Sequence, residues 1–370
     1  MQLPTQKIIG STIYFAIPAL ASLLNVVTFV VIPNITNFEE FRYFILANVF
    51  SGIYLNSISQ GAHNISVVQF ESGDSEVLKS YQIFSVTIMA LFLLFASYTN
   101  NFPVFFLVLA YFIQQQIVIM VMFARQSFDG VRAKSCLLLQ PLILLSLLLI
   151  FSKVGLQNFW IYAALISAIL GAGLVMVIEN ISIRSLSIGL PTGLDGYRKV
   201  LLILFSGSAV PLFIHMDMLV LKDSANLAEF AIFSKMAYSI PMSLCSLLIY
   251  PLFKDKSLLR AGRLFPLVFF VSVASIAAWT VYLWFFNVTF APNLFVVFCY
   301  VTVFTVFNLV FSLSVLQNPE YSSKLAALTI LSLCVFTLVE VDIVTYMEVK
   351  IVLMTFVVLM FINRVKVRGL

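Results

Sequence analysis

His215 and Asp217 stand two residues apart in the stretch FIHMDMLVLK (213–222), inside an apolar run with no other charged residue back to Lys199. A charge in hydrocarbon costs about 2.5–3.5 kcal/mol on insertion scales, so an acid kept there is paired with a cation, or binds or moves one. Lys235 lies in the following apolar run, which returns across the bilayer and brings it to a depth similar to that of Asp217. An Asp217–Lys235 ion pair is the structural expectation. A proton or cation site at Asp217 that releases Lys235 is the functional one. A helix turns 100° per residue, so His215 points about 200° away from Asp217. Asp217 shares its face with Ser206, Val210 and Phe213, whereas His215 shares one with Ser208 and Pro211. His215 reads as a hydrogen-bonded helix contact or, alternatively, a proton relay.

Other polar residues also fall in stripes. Asn48, Ser51, Gly52, Asn56 and Ser59 share one helical face, as do Lys235, Ser239, Ser243 and Ser246. Gln114 and Arg125, eleven residues apart, share a face that runs from mid-membrane to the inner mouth. Ser and Gly in such runs are commonly small-residue packing contacts between helices. Arg125 also fits an anchor at the inner surface, whereas Lys235 is too deep to reach headgroups easily and needs an anion or water.

The elements that carry these residues follow from composition. The chain of 370 residues is 62% hydrophobic and 10% charged, with 37 Phe against 16 acidic residues and a mean hydropathy of +1.07. A soluble domain carries about 25% charged residues. An all-α integral membrane protein is expected, and the pI of about 8.9 places loops rather than marking a nucleic-acid partner. Spans need about 20 apolar residues. Twelve runs qualify: 10–32, 42–62, 81–98, 102–124, 133–152, 158–178, 200–222, 227–251, 264–287, 293–316, 322–341 and 343–363. The last two are nearly continuous, divided only at Glu340-Val341-Asp342. With both termini cytoplasmic, sixteen of the 21 Lys and Arg fall in inner segments, and Arg42, Lys153, Lys222 and Lys350 in outer ones. That bias is the one expected of cytoplasmic loops. The N-terminal run reads as an uncleaved first span.

Cys136, Cys245, Cys299 and Cys334 lie in or beside apolar runs without ligand spacing and read as packing residues. No metal site or cofactor is expected. Without a Walker A motif or nucleophile elbow, an enzyme is not expected either.

An internal repeat divides the chain. PNITNFEEFRYF (33–44) and KDSANLAEFAIF (222–233) share Asn37/Asn226, Glu40/Glu229, Phe41/Phe230 and Phe44/Phe233 at an offset of 189 residues. Both segments join the first two spans of a six-span half. The expected domains are 1–190 and 191–370, two parallel six-helix bundles related by a pseudo-two-fold axis, an arrangement used by transporters.

The segment MDMLVLKDSANLAEFAIFSKM (216–236), the opening FAIPALASLLNVVTFVVIPNITNFEEFRYF (15–44) and this layout resemble the Wzx-type polysaccharide and O-antigen flippases. These belong to the multidrug/oligosaccharidyl-lipid/polysaccharide exporter superfamily. The resemblance rests on Asp217, LVL (219–221), KDSANLAE (222–229) and Phe230, in that order. The chain departs from the family in being short and in lacking its usual Gly-Tyr near Phe230. The resemblance implies alternating-access flipping of an undecaprenyl-diphosphate-linked oligosaccharide across the bacterial inner membrane. It also implies membrane lipids, a polysaccharide polymerase and a chain-length regulator as partners, and a monomer is expected because each half already supplies a wall. It implies a cationic cavity in which Arg125 and Lys235 receive the diphosphate and Asn25, Asn48, Asn56 and Gln114 bind sugar. The rivals are a cation-coupled multidrug antiporter of the same superfamily, with Asp217 as its cation site, an O-antigen polymerase, for which the outer loops are short, and a membrane scaffold.

Overall fold

The computed structural model describes residues 20–21, 23–37, 40–41, 44–45, 49, 75–98, 102, 105–106, 108–110, 112–113, 131–156, 158–179, 194–220, 229–239, 241–242, 261–286, 292–336 and 342–367. Among these residues every regular element is helical. In chain order they are α1 (Leu23–Ile35), α2 (Ser75–Tyr98), α3 (Val131–Val154), α4 (Phe159–Glu179), α5 (Leu194–Val220), α6 (229–239), α7 (Ala261–Phe286), α8 (Leu294–Gln317), α9 (Pro319–Phe336) and α10 (Ile343–Val367). They fall within or slightly beyond the expected runs. Leu294–Val315 and Ile343–Ile362 are long and apolar enough by themselves to cross a bilayer, and shorter apolar stretches occupy α1, α3, α4, α5 and α7.

Local sequence explains where the helices stop. α3 ends at Val154, and Gly155 follows with φ 72°, a left-handed position that glycine takes without a Cβ clash. Asn158, at φ 52°, completes the turn into α4. Asn293 caps α8 by accepting from the Phe295 amide at 2.9 Å. Asn318 closes α8 and opens α9, accepting from the Tyr321 amide at 3.1 Å, with Pro319 at the first helical position. Asp342 accepts from the amides of Val344 and Thr345 at 3.0 and 3.1 Å, which fixes the break between the last two runs.

The chain divides into two compact units, Met1–Leu201 and Leu202–Leu370, the division falling within α5. In the first, α3 packs on α4, close enough that a Cβ on Gly171 would lie 3.4 Å from the Gln140 Cβ. In the second, α8 packs against α7, α9 and α10.

The outward face is apolar as well as the interior, unlike that of a protein in water. Along α10, Tyr346, Met347, Lys350 and Met354 are fully buried, while Val352, Phe356 and Leu359 face outward. Trp284 is 78% exposed and Lys350 is 0% exposed. Water would reverse that arrangement, whereas lipid favours it, because tails solvate apolar side chains and a charge must find its partners inside the bundle. With the composition, this identifies a multi-pass membrane protein. Most hydroxyls bond back to their own helix, as Ser206, Ser272, Ser275, Thr305 and Thr329 do to carbonyls four residues earlier. Thr302 instead bridges α8 to Ser272 of α7 at 2.9 Å.

Candidate functional site

Asp217 sits in the last turns of α5, after Pro211, and is completely buried. The expected face is present: Ser206, Val210, Phe213 and Asp217 are all buried. The expected partner is different. Asp217 forms its ion pair with Lys350 of α10, not with Lys235. The charge distribution along the sequence counts Lys350 with the outer-loop cations. It lies instead more than a turn inside α10, with its ammonium in the protein interior. The run 343–363 already encloses it, and α10, which begins at the Asp342 cap, carries Lys350 on the same face as Tyr346, four residues earlier.

Three tyrosines complete the site. On Asp217, Oδ1 accepts from Lys350 and from the Tyr346 hydroxyl at 2.9 Å. Oδ2 accepts from Tyr238 at 2.6 Å and from Tyr300 at 3.3 Å. The Tyr300 hydroxyl also lies against that of Tyr238, so its one proton is shared between Asp217 Oδ2 and the Tyr238 oxygen. The Lys350 ammonium has three N–H donors, and each has an acceptor: Asp217 Oδ1, the Phe213 carbonyl at 2.8 Å and the Tyr238 hydroxyl at 3.1 Å. Four aromatic rings surround the ammonium, Phe213 at 3.8 Å and those of Tyr238, Tyr346 and Tyr300 at 5.5, 5.5 and 5.8 Å from Nζ to centroid. Ring faces are electron-rich, and their attraction for a cation strengthens when water is absent. The site therefore satisfies both charges and ties α5, α6, α8 and α10 together.

Phe233 of α6 stacks edge-on against Trp279 of α7 at 5.0 Å, and Tyr238 packs on Phe304 of α8 at 4.5 Å, fixing the ring positions. Tyr238, Tyr300 and Tyr346 carry no signal in the sequence that marks them as site residues. Four-residue spacing links Tyr346 to Lys350, but nothing in one sequence pairs either with Asp217, 129 and 133 residues away.

His215 is buried on a separate face of α5, within electrostatic range of Lys235 and Lys350. Lys235 and Ser239 are half-buried on α6. Asn25, on α1 of the first unit, is exposed. Asn48, Asn56, Gln114 and Arg125 lie outside the described residues.

No sequence-family profile matches the chain, and no curated protein does. Solved structures do match in fold. A MATE structure in complex with MaD3S superposes with TM-score 0.69 at 12% identity, covering 97% of this chain and 96% of that one. An outward-facing multidrug resistance MATE transporter of the MOP superfamily gives 0.64 at 12% identity, covering 96% and 94%. A MOP superfamily transporter from Pyrococcus furiosus, described as having a binding pocket of reversed polarity, gives 0.59 at 13% identity, covering 96% and 94%. Over nearly its whole length, the chain has the fold of MATE transporters of the MOP superfamily.

Proposed function

We propose that the protein is a flippase that carries a polyprenyl-diphosphate-linked oligosaccharide, an O-antigen or related surface-glycan repeat unit, across the bacterial inner membrane. The observation that carries this reading is the engagement of Asp217. Both its oxygens are occupied by Lys350 and three tyrosine hydroxyls. An acid so engaged offers no free negative charge to a cationic drug. A diphosphate leaving the headgroup layer needs cations, and sugars need hydroxyl and amide partners. In this reading Arg125 captures the diphosphate at the inner mouth and Lys235 receives it deeper, while Asn25, Asn48, Asn56 and Gln114 bind sugar. The lipid tail stays in the bilayer, and a polysaccharide polymerase and a chain-length regulator act on the product.

The likeness to a multidrug resistance transporter favours a second reading, a cation-coupled drug antiporter. There Asp217 has to exchange Lys350 for a coupling ion during the cycle.

Proteoliposomes separate the two. Vesicles are loaded symmetrically with lipid-diphosphate oligosaccharide and treated outside with a glycosidase. A flippase exposes nearly all the glycan, whereas vesicles without protein protect the inner-leaflet share. Persistent protection, together with extrusion of a cationic dye driven by an inward flow of the coupling ion down its imposed gradient, would establish the antiporter.

A further inference from the structure

The groups around the Lys350 ammonium form an oxygen cage: a carboxylate, a main-chain carbonyl and the Tyr238 hydroxyl in direct contact, with the hydroxyls of Tyr346 and Tyr300 on the same carboxylate. Carboxylate, carbonyl and hydroxyl oxygens are the donor set of a hard metal cation. The cage carries one negative charge and is closed to solvent, with Asp217 and Lys350 both at 0% exposure. A single positive charge neutralises it. A divalent ion would leave an excess buried charge, and the aromatic walls suit a cation that sheds its water readily. Ammonium and potassium are of similar size.

We infer that the Lys350 ammonium is a tethered counter-ion occupying a monovalent-cation cage, and that the cage accepts a free potassium ion only when Lys350 is removed. In the intact protein, Asp217 is not a coupling site for an external metal ion in this conformation. The inference concerns the cage and not the cargo. It stands or falls without a transport assay, so a failure of the flippase reading leaves it untouched.

The test is thermal unfolding of the purified full-length protein in detergent, titrated with KCl against N-methyl-D-glucamine chloride at constant ionic strength. Lys350→Ala is expected to show a saturable rise in Tm with KCl. The rise is about 3–4 °C for a chain of this length when potassium exceeds its dissociation constant a hundredfold. The wild type and the charge-free double variant Asp217→Asn/Lys350→Met are expected to show none. A saturable potassium response in the wild type would overturn the inference, because the cage would then be open to external ions. So would a flat response in Lys350→Ala, or its failure to fold in either salt while the double variant folds. Failure of both variants to fold in either salt overturns it as well, because a cage open to potassium would rescue Lys350→Ala in KCl.

Discussion

Phe44 and Phe233 occupy the same place in the two copies of the repeated segment, and each meets a buried Trp edge-on. Phe44 meets Trp160 at 5.6 Å and 85°, and Phe233 meets Trp279 at 5.0 Å and 71°. Phe41 and Phe230, three residues earlier, are buried in both. The aromatic framework is common to the two units, but the interiors it frames are not. At the offset of 189 residues, Asp217 corresponds to Thr28, Phe213 to Leu24 and Tyr238 to Val49. All but Leu24 are fully buried. The Phe213 carbonyl accepts from the Lys350 ammonium, whereas its counterpart on Leu24 accepts from the Thr28 hydroxyl at 2.8 Å, a bond within one helix. The first unit satisfies this position locally. The second satisfies it through an ion pair that joins helices over 130 residues apart. Similar packing positions thus carry a neutral local bond in one unit and a buried charge in the other. In the second unit, moving that charge would change interhelical contacts.

The largest effect that tests this difference is at Asp217. Asp217→Ala leaves Lys350 buried without its acid and is expected to cost about 3–5 kcal/mol. Asp217→Ala/Lys350→Met is expected to recover most of that, since apolar replacement of a whole buried pair is often neutral or stabilising. Denaturant unfolding in mixed micelles reads both. A single-variant cost below about 1 kcal/mol would show that the pair does not hold the second unit together. The framework comes next. Phe44→Ala and Phe233→Ala are each expected to cost about 3 kcal/mol and to agree within about 1 kcal/mol, because each empties a similar aromatic contact. Widely different costs would break the equivalence of the two copies. Thr28→Val is expected to cost about 1 kcal/mol or less, since it removes a hydroxyl bonded only to its own helix.

What the sequence reveals and what it hides divide along the same line. The helix positions are legible because each span is a local run of apolar residues, closed by residues such as Gly155, Asn318 and Asp342. Asp217 is legible because an acid in an apolar run stands out, and its face follows from helical period. Its partner is not legible. Lys235 is closer along the chain and at the expected depth, so hairpin geometry selects it over Lys350. The choice of Lys350 depends on α10 lying beside α8 and on three tyrosines arriving from α6, α8 and α10. Tyrosines in an apolar span resemble ordinary interface or packing residues, and their hydroxyls acquire meaning only around a buried carboxylate. The charge count sets Lys350 among the outer cations although it stands eight residues into the run 343–363, because assigning cations to loops leaves no place for one buried with an acid.

The smallest effects lie at the helix starts, where the two units also differ in chemistry. In the first, Asn37 and Glu40 form a reciprocal box. The Glu40 amide donates to Asn37 Oδ1 at 2.8 Å, and the Asn37 amide to Glu40 Oε2 at 3.4 Å. Asn37→Ala is expected to cost about 1 kcal/mol in the same unfolding measurement. In the second, the cap of α10 is a carboxylate. The Thr345 hydroxyl, at 2.5 Å from Asp342 Oδ2, followed by the amides of Thr345 and Val344, holds the Asp342 carboxyl below the usual aspartate range, against a smaller desolvation effect. A carboxyl whose folded pKa is depressed contributes its stability fully above the unfolded value and loses it as pH falls through the folded one. Hydrogen exchange at the amides of Val344 and Thr345, corrected for intrinsic rate, is therefore expected to accelerate as pH is lowered through the bottom of the aspartate range. In Asp342→Asn the side chain keeps an acceptor but has no charge to lose, so that acceleration should disappear. If it persists, the pH sensitivity of this helix start comes from some other group, and the charged cap does not distinguish the second unit from the neutral Asn37 cap of the first.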